Sequence, residues 1–340
     1  MKGYNGRMNP KHMNRNLLIT LGVLALALSV GCGEESSESK VPTSVPTPVF
    51  VDAPIFNEDS AFLYIEQQLA FGPRTPNSKA QEKCALWLQS ELTNRGAKAS
   101  IQEAKVQRAD GVSLRMMNII GAFQPEQKNR ILLSAHWDSR HVSDADPDQA
   151  NTRKAVPAAN DGGSGVAVLL EIARLFQKNP PPVGVDIIFW DVEDQGTATD
   201  NESWCLGSKY WAQKPHVPNY KAQFAINLDM VGGVNTWFPK EQTSIYFARE
   251  IVDEIWETAN ALGYSDYFPM MTQDAVMDDH VNINRIAGIP AVNIIARDLG
   301  GDGFYTHWHT VADDIEHISK PTLKAVGQTV TQVVYNRQGK

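Results

Sequence analysis

Six side chains able to bind a metal or move a proton fall at the ends of short apolar runs or in the loops that follow them. They are His136 in Ala-His-Trp-Asp, Asp161 in Ala-Asn-Asp-Gly-Gly-Ser-Gly, the adjacent Glu193 and Asp194 in Phe-Trp-Asp-Val-Glu-Asp, Asp229 in Asn-Leu-Asp-Met, and His309 in His-Trp-His-Thr. Imidazole nitrogen combined with carboxylate oxygen, without cysteine, is a donor set of catalytic zinc. Asp161, Asp194 and His309 would supply two oxygens and one nitrogen, leaving a fourth position for water or substrate. His136 and Asp229 would add a second metal with Asp161 bridging, as in two-metal hydrolases. Glu193, next to a proposed ligand, is placed to act as general base and acid. His307 and His309 flank Trp308, and spacing alone allows either to be the ligand.

Each residue taken singly has a plainer reading. A lone Asp at a strand end is more often a helix cap than a ligand, and Glu193 with Asp194 could be a solvated loop pair. Recurrence at five strand ends or following loops favours the metal centre. The run Gly162-Gly163-Ser164-Gly165 lacks the Lys and the full spacing of a phosphate loop and reads instead as a close-packed helix start. Asp138, Asp144, Asp146 and Asp148 read as a solvated charged loop, and His141, His216 and His317 as surface residues.

The elements that must gather these groups alternate. Helical spacing covers Asp59 to Ala70 and, after Phe71-Gly-Pro-Arg-Thr-Pro, Ser78 to Arg95. β-rich stretches run from Ala99 to Val106 and from Met116 to Phe123. Arg130 to Ala135 and Val185 to Trp190 are continuous apolar runs suited to strands buried on both faces. Further strands are expected at Phe224 to Asp229 and Ala291 to Ala296. Helices are expected from Gly162 to Gln177, from Gly207, and over Ala248 to Leu262, Asp279 to Ala287 and Lys320 to Tyr335. The pattern predicts an α/β fold with a mixed, mainly parallel central sheet and helices on both faces. Such sheets carry their chemistry at the carboxyl ends of the strands.

The chain has 340 residues, a formal net charge of -8 and three cysteines. Acidity argues against nucleic acid or an anionic membrane surface as the main partner, and so few cysteines argue against a disulfide framework. Cys84 and Cys205 read as free thiols, a bridge between them being the alternative. Lys2, Arg7, Lys11 and Arg15 precede an apolar stretch from Leu17 to Val30 that ends at Gly31-Cys32, a targeting pattern that also survives from Met13. It resembles a bacterial lipoprotein signal with Cys32 as the lipidated residue, although Ser29 stands where such signals usually carry Leu. Gly33 to Pro48 is rich in Ser, Glu, Thr and Pro and reads as a disordered tether. The expected division is residues 1–31 as signal peptide, 32–52 as lipidated Cys and tether, and 53–340 as one catalytic domain. The expected location is the periplasm, on a lipid anchor in the outer membrane, with no other membrane contact.

The series His136-Trp-Asp-Ser, Asn160-Asp-Gly-Gly-Ser-Gly, Asp191-Val-Glu-Asp, Leu228-Asp-Met-Val-Gly and Trp308-His-Thr resembles the zinc aminopeptidase superfamily. Within it the chain looks most like the bacterial lipoprotein branch of the animal-type glutaminyl-peptide cyclotransferases. Asp278-Asp279-His280 has Asp where aminopeptidases usually have Ser, Trp308 precedes the last ligand, and Ser203-Trp-Cys-Leu-Gly-Ser-Lys-Tyr-Trp-Ala is similar to the bacterial cyclases. The resemblance runs from about residue 55 to the C-terminus. It implies one zinc ion on Asp161, Asp194 and His309, Glu193 as acid/base, and Asp229 and Asp278 as a carboxylate network beside it. It implies His136, Phe304, Trp308 and Trp204 as substrate-binding residues, and peptides or proteins with N-terminal Gln as substrates. Asp194 is shorter than the Glu of animal cyclases, Thr199 stands at the equal-length position of their pocket Trp, and Ala135 occupies a position of their disulfide.

The chemistry implied is attack of the α-amine of an N-terminal Gln on its own γ-carbonyl, giving pyroglutamate and ammonia. The alternative is a di-zinc aminopeptidase with His136 and Asp229 as further ligands. A non-catalytic periplasmic binding lipoprotein is the reading from a different class.

Overall fold

The computed structural model describes residues 50–298 and 303–337. Cys32, the apolar stretch before it and nearly all of the expected tether lie outside the described residues. The central sheet has six strands, β1 Lys98–Gln107, β2 Ser113–Phe123, β3 Arg130–His136, β4 Gly184–Trp190, β5 Ala225–Asp229 and β6 Ala291–Ile295. Across the sheet they run β1, β2, β4, β3, β5, β6, with β1–β2 and β2–β4 antiparallel and the other three pairs parallel. Every residue of β3, β4, β5 and β6 is buried, which is why their sequences are mainly apolar on both faces rather than alternating. The edge strand β1 is at most half-buried along its whole length.

Among the described residues seven α-helices pack around the sheet: α1 Glu58–Leu69, α2 Lys79–Asn94, α3 Gly163–Lys178, α4 Leu206–Gln213, α5 Gln242–Ala261, α6 Asp279–Arg285 and α7 Lys320–Tyr335. Asn57, Ser78 and Ser319 cap α1, α2 and α7 by accepting a backbone N–H within the first turn. On one face Ile131, Leu133 and Ala135 of β3 pack with apolar residues of α1, α3, α5 and α7. On the other, Leu132, Ile188, Trp190 and Ala225 pack with Trp211 of α4 and Ile283 of α6. Helix α5 begins six residues before the expected Ala248, which instead marks a break in it with φ -142° and ψ 39°. Glu241 makes the earlier start possible, its carboxylate accepting the N–H groups of Thr243 and Ser244 at 2.7 Å each.

Two features place the site. The four parallel strands end along one edge of the sheet, at His136, Trp190, Asp229 and Ile295. Across three of them runs a polar row in an otherwise apolar layer, Ser134 beside Asn227 and Asn227 beside Asn293 in register. Among the described residues, no helix is long and apolar enough to cross a membrane.

Candidate active site

Asp161 lies at the start of α3 and is held there from behind. The buried Asp313 carboxylate accepts the N–H groups of Asn160 and Asp161 at 2.8 and 3.0 Å. The Asp161–Gly162 peptide is cis. A Cβ on Gly162 would lie 2.3 Å from the His136 carbonyl oxygen, and one on Gly165 would lie 2.6 Å from the Leu228 carbonyl oxygen. The glycines therefore let α3 sit directly against the ends of β3 and β5, as the sequence suggested.

Two overlapping donor clusters share Asp161: Asp161 with Asp194 and His309, and Asp161 with His136 and Asp229, the ligand atoms of each lying within 4.8 Å of one another. His309 Nε2 is 2.8 Å from Asp194 Oδ1 and 3.8 Å from Asp161 Oδ2. His136 Nε2 is 2.9 Å from Asp161 Oδ1 and 3.3 Å from Asp229 Oδ1. The Oδ2 atoms of Asp161 and Asp194 are buried and, among the described residues, accept no hydrogen bond. Buried carboxylate oxygens without donors are costly. Beside an imidazole they have the composition and spacing of a zinc site, so the residues fit the ion. His309, rather than His307, enters the cluster, and His307 packs against His317 with ring centroids 3.9 Å apart and the planes tilted by 43°. His309 Nδ1 faces Asp144 at 3.3 Å, and Asp144 is bonded to Arg140 at 2.6 and 2.7 Å. A carboxylate on the far nitrogen of a ligating imidazole fixes its tautomer and orientation.

Glu193 follows the end of β4 in a tightly wound loop in which Val192 has a φ of 55°. Asp138 shapes this loop, its carboxylate accepting the N–H of Glu193 at 3.0 Å, that of Asp194 at 3.3 Å and Gln195 Nε2 at 3.0 Å. Asp138 is fully buried and Asp146 is 7% exposed, which corrects the expectation of a solvated acidic loop at these two positions. Cys205 Sγ donates to Glu193 Oε1 at 3.2 Å, and no disulfide links it to Cys84, both being buried free thiols. Asp278, the N-cap residue of α6, has an oxygen within 4.8 Å of a Glu193 oxygen. Asn227 Nδ2 donates to Asp278 Oδ1 at 3.2 Å and Asn293 Nδ2 to Oδ2 at 2.6 Å.

These groups open on a cavity of about 380 Å³ lined by Asp161, Glu193, Asp194, Asp229, Asp278 and His309 together with Trp204, Phe304 and Trp308. Phe304 and Trp308 pack with ring centroids 4.9 Å apart, and Trp204 stacks on His309 at 6.0 Å. Trp204 thus reaches the cavity, while Thr199 is exposed and does not line it. His136, expected among the substrate-binding residues, is 1% exposed and absent from the cavity lining, because its ring lies behind the carboxylates of Asp161 and Asp229. His141, His216 and His317 are half-buried rather than surface residues, and His216 accepts a hydrogen bond from Trp211 Nε1 at 3.1 Å.

The crowding of acids sets the protonation states. Burial, reinforced by Asp194, Asp279 and Asp278, holds Glu193 well above the usual carboxylate range against the opposing field of His136. Burial lifts Asp229 to about 7, against its bond to His136 and with help from Asp278 and Asp161. Burial, then the charge of Asp161, lifts Asp313 to about 8. For His309, burial works to lower the value, but Asp194, Asp144 and Asp161 outweigh it and raise it to about 9. Neighbouring carboxylates resist ionising together, and shared protons of this kind are what acid–base chemistry at neutral pH requires.

Several positioning residues emerge from the fold. Besides Asp138, buried Arg74 donates to the carbonyls of Pro157 and Ala158 at 2.7 Å each and so braces the approach to Asp161. Asn227 and Asn293 are single amides inside apolar runs, and a polar residue in a strand buried on both faces needs a partner. That signal was available.

The profile of peptidase family M28 matches residues 118–334. The fold superposes on glutaminyl cyclase of Bacteroides thetaiotaomicron bound to N-acetylhistamine with a TM-score of 0.83 and 47% identity, covering 84% of this chain and 100% of that one. A zinc-dependent exopeptidase of Parabacteroides distasonis gives a TM-score of 0.82 and 49% identity over 84% of this chain and 100% of that one. Among curated proteins, aminopeptidase YwaD of Bacillus subtilis is 30% identical over 64% of this chain and 44% of its own length. Glutaminyl-peptide cyclotransferase of Bothrops jararaca is 29% identical over 61% of each. The chain therefore spans less than two thirds of the length of these curated relatives. With this sheet, this donor set and these matches, the chain belongs to peptidase family M28, a zinc-dependent family.

Proposed function

We propose that this chain is a zinc-dependent glutaminyl-peptide cyclotransferase that converts the N-terminal Gln of peptides or proteins to pyroglutamate and releases ammonia. The observation that carries the reading is the placement of Asp278 beside Glu193 at the wall of an aromatic cavity next to the Asp161–Asp194–His309 cluster. Held by those three residues, one zinc ion would supply a Lewis acid for the γ-carbonyl of the substrate. Glu193 takes a proton from the attacking α-amine and returns it to the departing ammonia. Asp278 and Asp229 share the burden of charge around Glu193, so that it can hold a proton between the two transfers. Both reacting groups belong to one residue, so the work of Phe304, Trp308 and Trp204 is to fold that side chain back on its own amine and keep water from the carbonyl. The likeness in sequence and fold to glutaminyl cyclases supports the same reading.

The cluster of His136, Asp161 and Asp229 favours a second reading, a di-zinc aminopeptidase. Incubation with a peptide beginning Gln-Ala, followed by mass spectrometry, separates the two. Loss of one ammonia with the chain intact supports the cyclase, and loss of the whole Gln residue supports the peptidase. Under the cyclase reading Glu193→Gln lowers turnover by roughly 10²- to 10⁴-fold with zinc content unchanged. For location, the Gly31-Cys32 pattern supports a periplasmic enzyme anchored to the outer membrane by lipid on Cys32. Cys32→Ala should then move the protein from the membrane to the soluble fraction, and a variant that stays with the membrane refutes the anchor.

A further inference from the structure

We propose that Cys205 is a positioning residue that fixes the Glu193 carboxylate by a thiol hydrogen bond to one of its two oxygens. The inference rests on the reading of Glu193 as the group that transfers the proton. A buried cysteine is ordinarily a small apolar filler, and three observations set Cys205 apart from that role. Its backbone is left-handed, with φ 56° and ψ 39°, a region in which a residue carrying a Cβ is strained and where Gly is the default. It grips the same residue twice: its N–H donates to the Glu193 carbonyl at 2.9 Å, and Sγ donates to Glu193 Oε1 at 3.2 Å. It is itself clamped from the other side, since its carbonyl accepts Asn282 Nδ2 and Ser208 Oγ, each at 3.1 Å. The strained conformation is thus over-determined by its surroundings, as strain at functional sites must be to persist.

The chemistry of the group suits the task. A thiol is a weak donor, so it orients a carboxylate oxygen without neutralising it as a Lys or Arg would. Burial, then the charges of Glu193, Asp279 and Asp278, push the thiol well above its ordinary range, so it stays protonated and remains a donor. With Oε1 engaged, Oε2 is the oxygen left to carry the proton between amine and ammonia. Oε2 is also the one that faces His136 Nδ1, at 3.8 Å.

The test compares wild type with Cys205→Ala and Cys205→Ser on a peptide beginning Gln-Ala, with zinc content measured for each. We expect Cys205→Ala to lower kcat about ten-fold, which is roughly 1.4 kcal/mol of barrier, with KM changed less than two-fold and zinc retained. Cys205→Ser, which keeps a donor, should recover most of that loss. A Cys205→Ala kcat within two-fold of wild type overturns the proposal, as does a Cys205→Ser enzyme as slow as Cys205→Ala. A readout independent of turnover is the infrared S–H stretch found in the difference spectrum of wild type and Cys205→Ala. It should shift when Glu193 is replaced by Gln, and an unmoved band means the hydrogen bond does not exist. If wild type cyclises no Gln peptide, the cyclase reading fails while the band still decides the contact.

Discussion

Asn293 Nδ2 lies 2.6 Å from Asp278 Oδ2, tying an active-site carboxylate at the start of α6 to a side chain inside β6. The chain continues inward: Asn227 Nδ2 donates to both Asp278 Oδ1 and Asn293 Oδ1 at 3.2 Å, and Ser134 Oγ donates to Asn227 Oδ1 at 2.7 Å. Ser244 Oγ in turn accepts the Asn293 N–H at 2.9 Å and donates to the Glu241 cap at 2.8 Å. Asp278 is therefore placed both by its own cap on the Asp279 N–H and by the register of three parallel strands.

Removing one amide from this row should be felt in both rate and stability. For Asn293→Ala we expect kcat to fall by more than ten-fold while zinc content is retained, and stability to fall by about 1–3 kcal/mol because buried acceptors lose their donor. Steady-state kinetics and urea unfolding check the two arms. Unchanged kcat would mean that Asp278 does not depend on the row.

Asp138 offers a second test, because it binds loop N–H groups rather than metal or substrate. Asp138→Ala leaves the N–H groups of Glu193 and Asp194 without acceptors. We expect roughly 10²-fold loss of kcat, the scale for a displaced catalytic group. Asp138→Asn, which keeps one acceptor oxygen, should fall between that variant and wild type.

Glu241 should contribute to acid stability. Burial works to raise its pKa, but the His280 bond at 3.0 Å and the N–H groups of Thr243 and Ser244 outweigh it, lowering it from 4.5 to about 2. A carboxylate depressed on folding stabilises the native state above its unfolded value and loses that contribution as pH falls through the folded one. The contribution, about 3 kcal/mol, is present above pH 4.5 and disappears toward pH 2. Glu241→Gln should be less stable at neutral pH and should lose less stability between pH 4.5 and 2 than wild type, as followed by urea unfolding at several pH values.

Zinc binding should appear as thermal stability. The metal-free protein should gain about 2.7 kcal/mol at a zinc concentration one hundred times Kd. His309→Ala should lose the gain, whereas Glu193→Gln should keep it. Metal analysis of the wild type decides between one ion per chain, expected of the cyclase, and two.

Much of this was legible in the chain. Arg130 to Ala135 and Val185 to Trp190 announce buried parallel strands because apolar residues dominate both of their faces, and the helix expected over Lys320 to Tyr335 has those bounds behind its Ser319 cap. The metal-type donors were readable because strand ends concentrate them. Asp138 reads as solvated in the sequence because an acid among acids gives no sign of the N–H groups that surround it in the fold. Asn227 and Asn293 are hidden in the sequence because each is one amide inside an otherwise apolar run. The start of α5 was missed because its first turn depends on Glu241, a cap that also binds His280 and the Val276 N–H far along the chain.

The polar row has a bearing on how this enzyme should fail when heated. A carboxylate held by its own surface loop can drift while the rest of the molecule is intact, so activity fades ahead of melting. Asp278 is moored to Asn227 of β5 and Asn293 of β6, both in strands buried along their whole length, and such segments are expected to open only with the molecule as a whole. Its alignment is inherited from the cooperativity of the whole sheet, so this arm of the active site has no separate, softer melting point of its own.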